Sequence, residues 1–94
     1  MLYIRQVRVQ APGTMNQHIT AVKYSAMTSG PLTTVSRGAI ISVIDGGGDV
    51  YTHNDSTGAQ ARIVTRDGAN GRKYITTIAD GRETNNLLDL PRFI

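Results

Sequence analysis

The chain is 94 residues long, with ten basic and seven acidic residues for a formal net charge of +3, 39 % hydrophobic residues, four tyrosines, one phenylalanine and no cysteine. The missing cysteines exclude disulfides, thiolate zinc sites and cysteine nucleophiles, and no stretch approaches the roughly 20 apolar residues of a membrane-spanning helix. The length fits one domain, residues 1–94, with a core thin enough that subunit association is expected to support it.

Leu2 to Gln10 reads as a strand, with Tyr3, Val7 and Val9 on one face and Arg8 and Gln10 on the other. Ala11-Pro12-Gly13-Thr14 is a turn by composition. A second strand, His18 to Met27, closes an antiparallel hairpin with the first; Val22 and Tyr24 face one side, Ile19, Ala21 and Met27 the other. Thr28 to Thr34 reads as a loop built on Ser29-Gly30-Pro31. From Ser36 to Asp45 the period changes, and Ile40, Val43 and Ile44 align on one face of a short helix, capped by Thr34 or Ser36 and stopped by Gly46. Strands are then expected at Val50 to His53, Ala59 to Arg66 and Lys73 to Ile78, joined by turn formers at 54–58 and 67–71. Asp80-Gly81 ends the last of them, and from Arg82 the chain reads as irregular. Leu87, Leu88, Leu90, Phe93 and Ile94 give that tail an apolar weight that must dock on the sheet or on another subunit. The expected fold is α+β: a small antiparallel β-sheet or partly open barrel of about five strands with one short helix, in ββαβββ order.

Eight of the ten bases are arginine, only Lys23 and Lys73 being lysine. Arginine's planar fork grips phosphate or carboxylate bidentately, so the bias reads either as an ordinary solvated surface or as the means of holding an anionic ligand. The longest basic run is Arg72-Lys73, with acids interspersed throughout; a duplex binder needs a stripe of phosphate contacts, and nucleic acid ranks below a small ligand. Met1 to Arg5 has no apolar core of signal-peptide length, so the cytoplasm is the expected location. Asp45-Gly46-Gly47-Gly48-Asp49 follows a helix and is flanked by carboxylates, which suits a helix-to-strand connection and not a phosphate loop. His53-Asn54-Asp55-Ser56 holds the residue types of a hydrolytic triad, but four consecutive loop residues cannot converge on one reacting atom. Neither an enzyme nor a metal or cofactor site is expected.

The most distinctive text is Tyr74-Ile75-Thr76-Thr77-Ile78-Ala79-Asp80-Gly81, followed by Arg82-Glu83-Thr84-Asn85-Asn86-Leu87-Leu88-Asp89-Leu90-Pro91. Read physically, the asparagines stabilise turns and the leucines fill the core; alternatively Arg82, Asn85, Asn86 and Arg92 rim a pocket floored by tyrosine, where amides read base edges and arginine grips phosphate. This segment resembles the signature of a family of small phage and bacterial domains that end in Tyr-[Ile/Leu]-Arg-[Ser/Thr]-x-Pro-Asp-Gly and, after a spacer, Asn-Asn-Leu-x-x-Leu-Pro. The match is specific over residues 74–91 and architectural elsewhere. The family is identified as including the Thoeris anti-defence sponge proteins of phages. The resemblance therefore implies a homo-oligomer, hexamers included, that sequesters cyclic ADP-ribose isomers or cyclic oligonucleotides without turnover, in the host cytoplasm if phage-encoded. Thr76 stands where the family has arginine and Ala79 where it has proline; if that arginine grips phosphate, Arg82 or Arg66 must replace it here, or the ligand differs. The expected ligand-binding set is Arg66, Tyr74, Thr76, Arg82, Asn85, Asn86 and Arg92, with Lys23, Tyr24 and Met27 at a subunit junction, although a core role for Met27 is the plainer reading. The alternative function is a small structural or adaptor domain that binds a protein partner through its apolar tail.

Overall fold

Among the described residues, β-branched and aromatic side chains build seven strands: β1 (Leu2–Val9), β2 (Ile19–Ser25), β3 (Thr33–Ser36), β4 (Val50–His53), β5 (Gln60–Asp67), β6 (Lys73–Ala79) and β7 (Arg82–Thr84). A 3-10 turn, Asn16–His18, precedes β2, and one helix, α1 (Arg37–Asp45), lies between β3 and β4. The computed structural model describes all residues except Pro12, Thr14, Ala69, Asn70, Asp80 and Ile94, so the expectations resting on those turn residues and on Ile94 lie outside the described residues.

The strands form one sheet in the order β3-β2-β1-β4-β5-β6-β7. It is an open sheet of seven strands, not about five. All neighbours pair antiparallel except β1 and β4, which run parallel with Leu2 opposite Val50. The chain order is therefore βββαββββ in place of ββαβββ. The two additional strands are β3, in the expected loop and helix cap, and β7, in the expected irregular tail. Both are short edge strands whose side chains are largely exposed, so they carry no apolar alternation. Pairing with β2 and β6 makes them strands. Helix α1 touches β2 and β3 on one side and β5 and β6 on the other, so the sheet curls around it.

Two side-chain faces differ from the alternation. The register of β1 against β2 shifts between Ile4 and Gln6; the extra residue, Arg5, reverses the parity of the strand. Ile4 and Val7 are thus both fully buried, while Tyr3 is only half-buried. In α1 the core face is Ile40, Ile41 and Ile44, and Val43, expected on it, is 39 % exposed. The helix starts as expected, with Ser36 Oγ accepting from the Ala39 N–H at 3.2 Å. At its end the Gly46, Gly47 and Gly48 N–H groups donate to Ser42, Ile44 and Val43 carbonyls. A Cβ at Gly48 would lie 2.7 Å from Val43 Cγ1 and 2.9 Å from its carbonyl oxygen, so the glycine run folds the chain tightly over the last turn. No helix among the described residues is long and apolar enough to cross a membrane.

The apolar tail docks on the chain's own sheet. Leu87 and Leu90 are buried with Ile4, Val7, Ile19, Val22, Ile40, Val50, Ile63 and Ile75 in one core, and Leu88 packs against it. Beyond Ile4, where its pairing with β4 stops, β1 is met by the tail: the Val7 N–H donates to the Pro91 carbonyl and the Phe93 N–H to the Val7 carbonyl, both at 3.0 Å. Replacing Leu87 by alanine is expected to cost about 2–5 kcal/mol, read as a lower urea midpoint at unchanged slope, with a smaller loss for Leu88→Ala. Losses below about 1 kcal/mol for both would show that the tail is not part of the core.

Candidate functional site

An open cleft of about 300 Å³ lies where the segment before β2 faces the β5–β6 hairpin and the first residue of α1. Gln10, Met15, Gln17 and Thr20 form one wall; Gly68, Arg72, Lys73 and Tyr74 form the other, with Arg37 from the helix. The hairpin is closed by the Gly68 N–H donating to the Arg72 carbonyl at 2.8 Å. A Cβ on Gly68 would come within 2.8 Å of that same carbonyl oxygen, so only glycine permits this approach.

Three cations line the cleft and, among the described residues, no carboxylate does. Arg37 Nη1 donates to the carbonyls of Gln17 and Ile19 at 3.1 and 3.3 Å, which fixes the guanidinium while leaving its other nitrogens for a ligand. Arg72 forms no ion pair among the described residues. Lys73 Nζ lies 2.7 Å from Asp45 Oδ2, and Thr65 Oγ1 donates to Asp45 Oδ1 at 2.9 Å. The hydrogen bond from Lys73, then that from Thr65, holds the Asp45 carboxyl below its ordinary range, and the same bond to Asp45 raises Lys73. Tyr74 is 7 % exposed and its hydroxyl donates to Glu83 Oε1 at 2.8 Å. Burial, then the Glu83 hydrogen bond, pushes its phenol upward. Guanidinium forks, an ammonium and the Gln10 and Gln17 amides together suit a phosphate-bearing molecule.

Of the sequence-predicted set, Tyr74 is part of this cleft and Arg66 is its exposed cross-strand partner. Thr76 is fully buried, and its hydroxyl accepts from Asn16 Nδ2 at 2.8 Å. Arg82 is exposed on β7 opposite Ala79. Asn86 Nδ2 donates to Thr84 Oγ1 at 3.0 Å, and the carbonyl of exposed Asn85 accepts from the Asp89 N–H at 2.9 Å. Arg92 Nη2 donates to the Gly13 carbonyl at 3.0 Å. Lys23 Nζ lies 4.8 Å from the centroid of the Phe93 ring. Met27 is 64 % exposed in the loop after β2, and its carbonyl accepts from Ser25 Oγ. The cleft thus gathers Tyr74 without Arg82, Asn85, Asn86 or Arg92, and adds Arg37, Arg72 and Lys73. The basic run Arg72-Lys73 was the signal for two of these; nothing local in the sequence marks Arg37.

The His53–Ser56 segment lies elsewhere. Arg5 grips both oxygens of Asp55, with Nη2 at 2.8 Å from Oδ2, and Arg5 Nη1 donates to the Gly30 carbonyl at 2.9 Å. Asn54 Oδ1 accepts from the Ser56 and Thr57 N–H groups, forming the turn. Among the described residues no three His, Asp or Glu side chains gather at metal-binding distance.

Because the Tyr74 phenol is raised, its contribution to stability is complete below the unfolded value of about 10 and is lost as pH rises through the folded one. Tyr74→Phe is expected to cost about 0.5–1.5 kcal/mol at neutral pH and to flatten the loss of stability seen in urea melts above about pH 10. An unchanged alkaline slope would contradict the assignment.

A family model described as "Protein of unknown function (DUF3892)" matches residues 3–91. No curated protein and no solved structure matches the chain.

Proposed function

The chain belongs to the DUF3892 family of proteins of unknown function, and we propose that it is a non-catalytic binding protein for a phosphate-bearing small molecule of the cyclic-nucleotide class. The observation that carries this reading is the cleft that joins Arg37, Arg72 and Lys73 with no carboxylate among the described residues of its walls. Its volume of about 300 Å³ falls at the lower end of ligand pockets, which run from about 300 to 1,000 Å³. Arg37, already held by two carbonyls, loses little freedom when an anion arrives.

The ligand class comes from the C-terminal resemblance to phage anti-defence sponges: cyclic ADP-ribose isomers first, cyclic oligonucleotides second. In this reading copies of the chain associate, a second subunit covers the open side of the cleft, and the protein acts in the cytoplasm. The adaptor reading has less to work with, since Leu87 and Leu90 are buried in the chain's own core.

Calorimetry against cyclic ADP-ribose isomers, cyclic di- and trinucleotides and linear mononucleotides tests the proposal. Binding of a cyclic ligand at micromolar affinity or tighter is expected, with the ligand recovered unchanged after denaturation. Arg72→Glu should weaken it about tenfold or more while leaving the thermal midpoint in place. Absence of heat with every one of these ligands at roughly 100 μM overturns it.

A further inference from the structure

A second set of cations meets on the opposite side of β1 and β2. Val7 and Val22 face each other in the core; their sequence neighbours point the other way, because strand side chains alternate. On that outer face Gln6 stands opposite Lys23, Lys23 opposite Thr34, and Arg8 opposite Ala21, so Arg8 and Lys23 are diagonal neighbours. The tail crosses them. With the Phe93 N–H donating to the Val7 carbonyl, the Phe93 ring has Arg8 Cζ at 5.0 Å and Lys23 Nζ at 4.8 Å from its centroid.

Both charges therefore sit within about 10 Å of each other, no more than the screening length of about 10 Å at 0.1 M salt. Neither makes an ion pair among the described residues, although Arg5, Arg62 and Lys73 each do. The face of an aromatic ring attracts a cation, so Phe93 offsets part of the repulsion and restricts two long side chains to one neighbourhood. An anion placed between them would remove the rest of the repulsion, at a reduced cost in side-chain entropy. The Gln6 amide and the Thr34 hydroxyl flank Lys23 on the same face and add neutral donors.

We propose that Arg8 and Lys23, held by Phe93, form a second anion site, independent of the cleft, that takes a phosphate group. The paired fork and point charge match phosphate oxygens. The phosphate is carried either by a free small molecule or by a single-stranded nucleic acid, and the probes separate the two.

The experiment is an amide-resolved NMR titration of the full chain with inorganic pyrophosphate and, in parallel, with an oligothymidylate. Pyrophosphate is expected to shift Arg8, Lys23 and Phe93 saturably. Arg8→Gln and Lys23→Gln should each raise the Kd about fivefold, and Phe93→Leu, which keeps an apolar side chain on the tail, should raise it as well. Arg72→Glu in the cleft should leave it unchanged, so failure here is distinguishable from failure of the cleft. Tighter, steeply salt-dependent binding of the oligonucleotide through the same residues would assign the phosphate to a polymer; equal or weaker binding assigns it to a free ligand. Absence of saturable shifts at these residues, or the same Kd in Arg8→Gln and Lys23→Gln as in the parent, overturns the proposal.

Discussion

Val7 gives both of its main-chain hydrogen-bonding groups to the last residues of the chain, its N–H to Pro91 and its carbonyl to Phe93. β1 needs this partner, because β4 pairs with it only from Leu2 to Ile4 and an unpaired buried backbone group costs about as much as a lost hydrogen bond. The strap that supplies it brings Leu87 and Leu90 into a core otherwise made almost entirely of isoleucine and valine. It also lays Phe93 over the outer face of β1 and β2 and carries Arg92 to the Gly13 carbonyl. First strand and last residues are thus one unit, and a core poor in large aromatics is completed from the C-terminus.

A buried polar seam sets the cleft. Asn16 Nδ2 donates to Thr76 Oγ1 and to the Thr84 carbonyl, Thr77 and Thr84 share a hydroxyl contact, and Asn86 donates to Thr84. These bonds fasten the 3-10 turn, whose Gln17 lines one wall together with Met15 just before it, to the strand that carries Lys73 and Tyr74 on the other. Thr76 stands where the resembled signature has arginine, and in this fold that position is fully buried and hydrogen-bonded to Asn16. Its threonine holds the cleft's walls together from behind. The signature asparagine Asn86 braces the β6–β7 hairpin in the same way, so part of the most distinctive text serves architecture around the site.

How much was legible follows from where side chains point. β1, β2, β4, β5, β6 and α1 all have a face in the core, and their patterns located them within one or two residues. β3 and β7 bury almost nothing, so no period marked them. The Arg5 bulge defeated face assignment in β1, since one extra residue reverses every later side chain. At the site, Tyr74 and the Arg72-Lys73 run lie on one hairpin and were visible as local text. Arg37 acts there only because α1 starts beside Gln17 and Ile19, some twenty residues back along the chain, a juxtaposition that no local pattern encodes.

The net charge of +3 is not spread evenly over the surface. Three carboxylates are matched to particular cations: Asp55 in the β4–β5 turn clamps Arg5 of β1, Asp49 meets Arg62, and Asp45 at the end of α1 holds Lys73. Among the cations with no ion pair in the described residues, Arg37 and Arg72 meet at the cleft and Arg8 and Lys23 at the Phe93 ring, while Arg66 and Arg82 stand exposed on β5 and β7 and Arg92 donates to the Gly13 carbonyl. Within the cleft the two kinds of cation differ in what a ligand must do. Arg37 is anchored to neutral carbonyls and keeps its full charge toward the cavity, whereas Lys73 must first be drawn from Asp45. In the proposed reading a phosphate would therefore meet the guanidinium groups before the ammonium, and to reach Lys73 it would have to outcompete a carboxylate already held below its ordinary pKa.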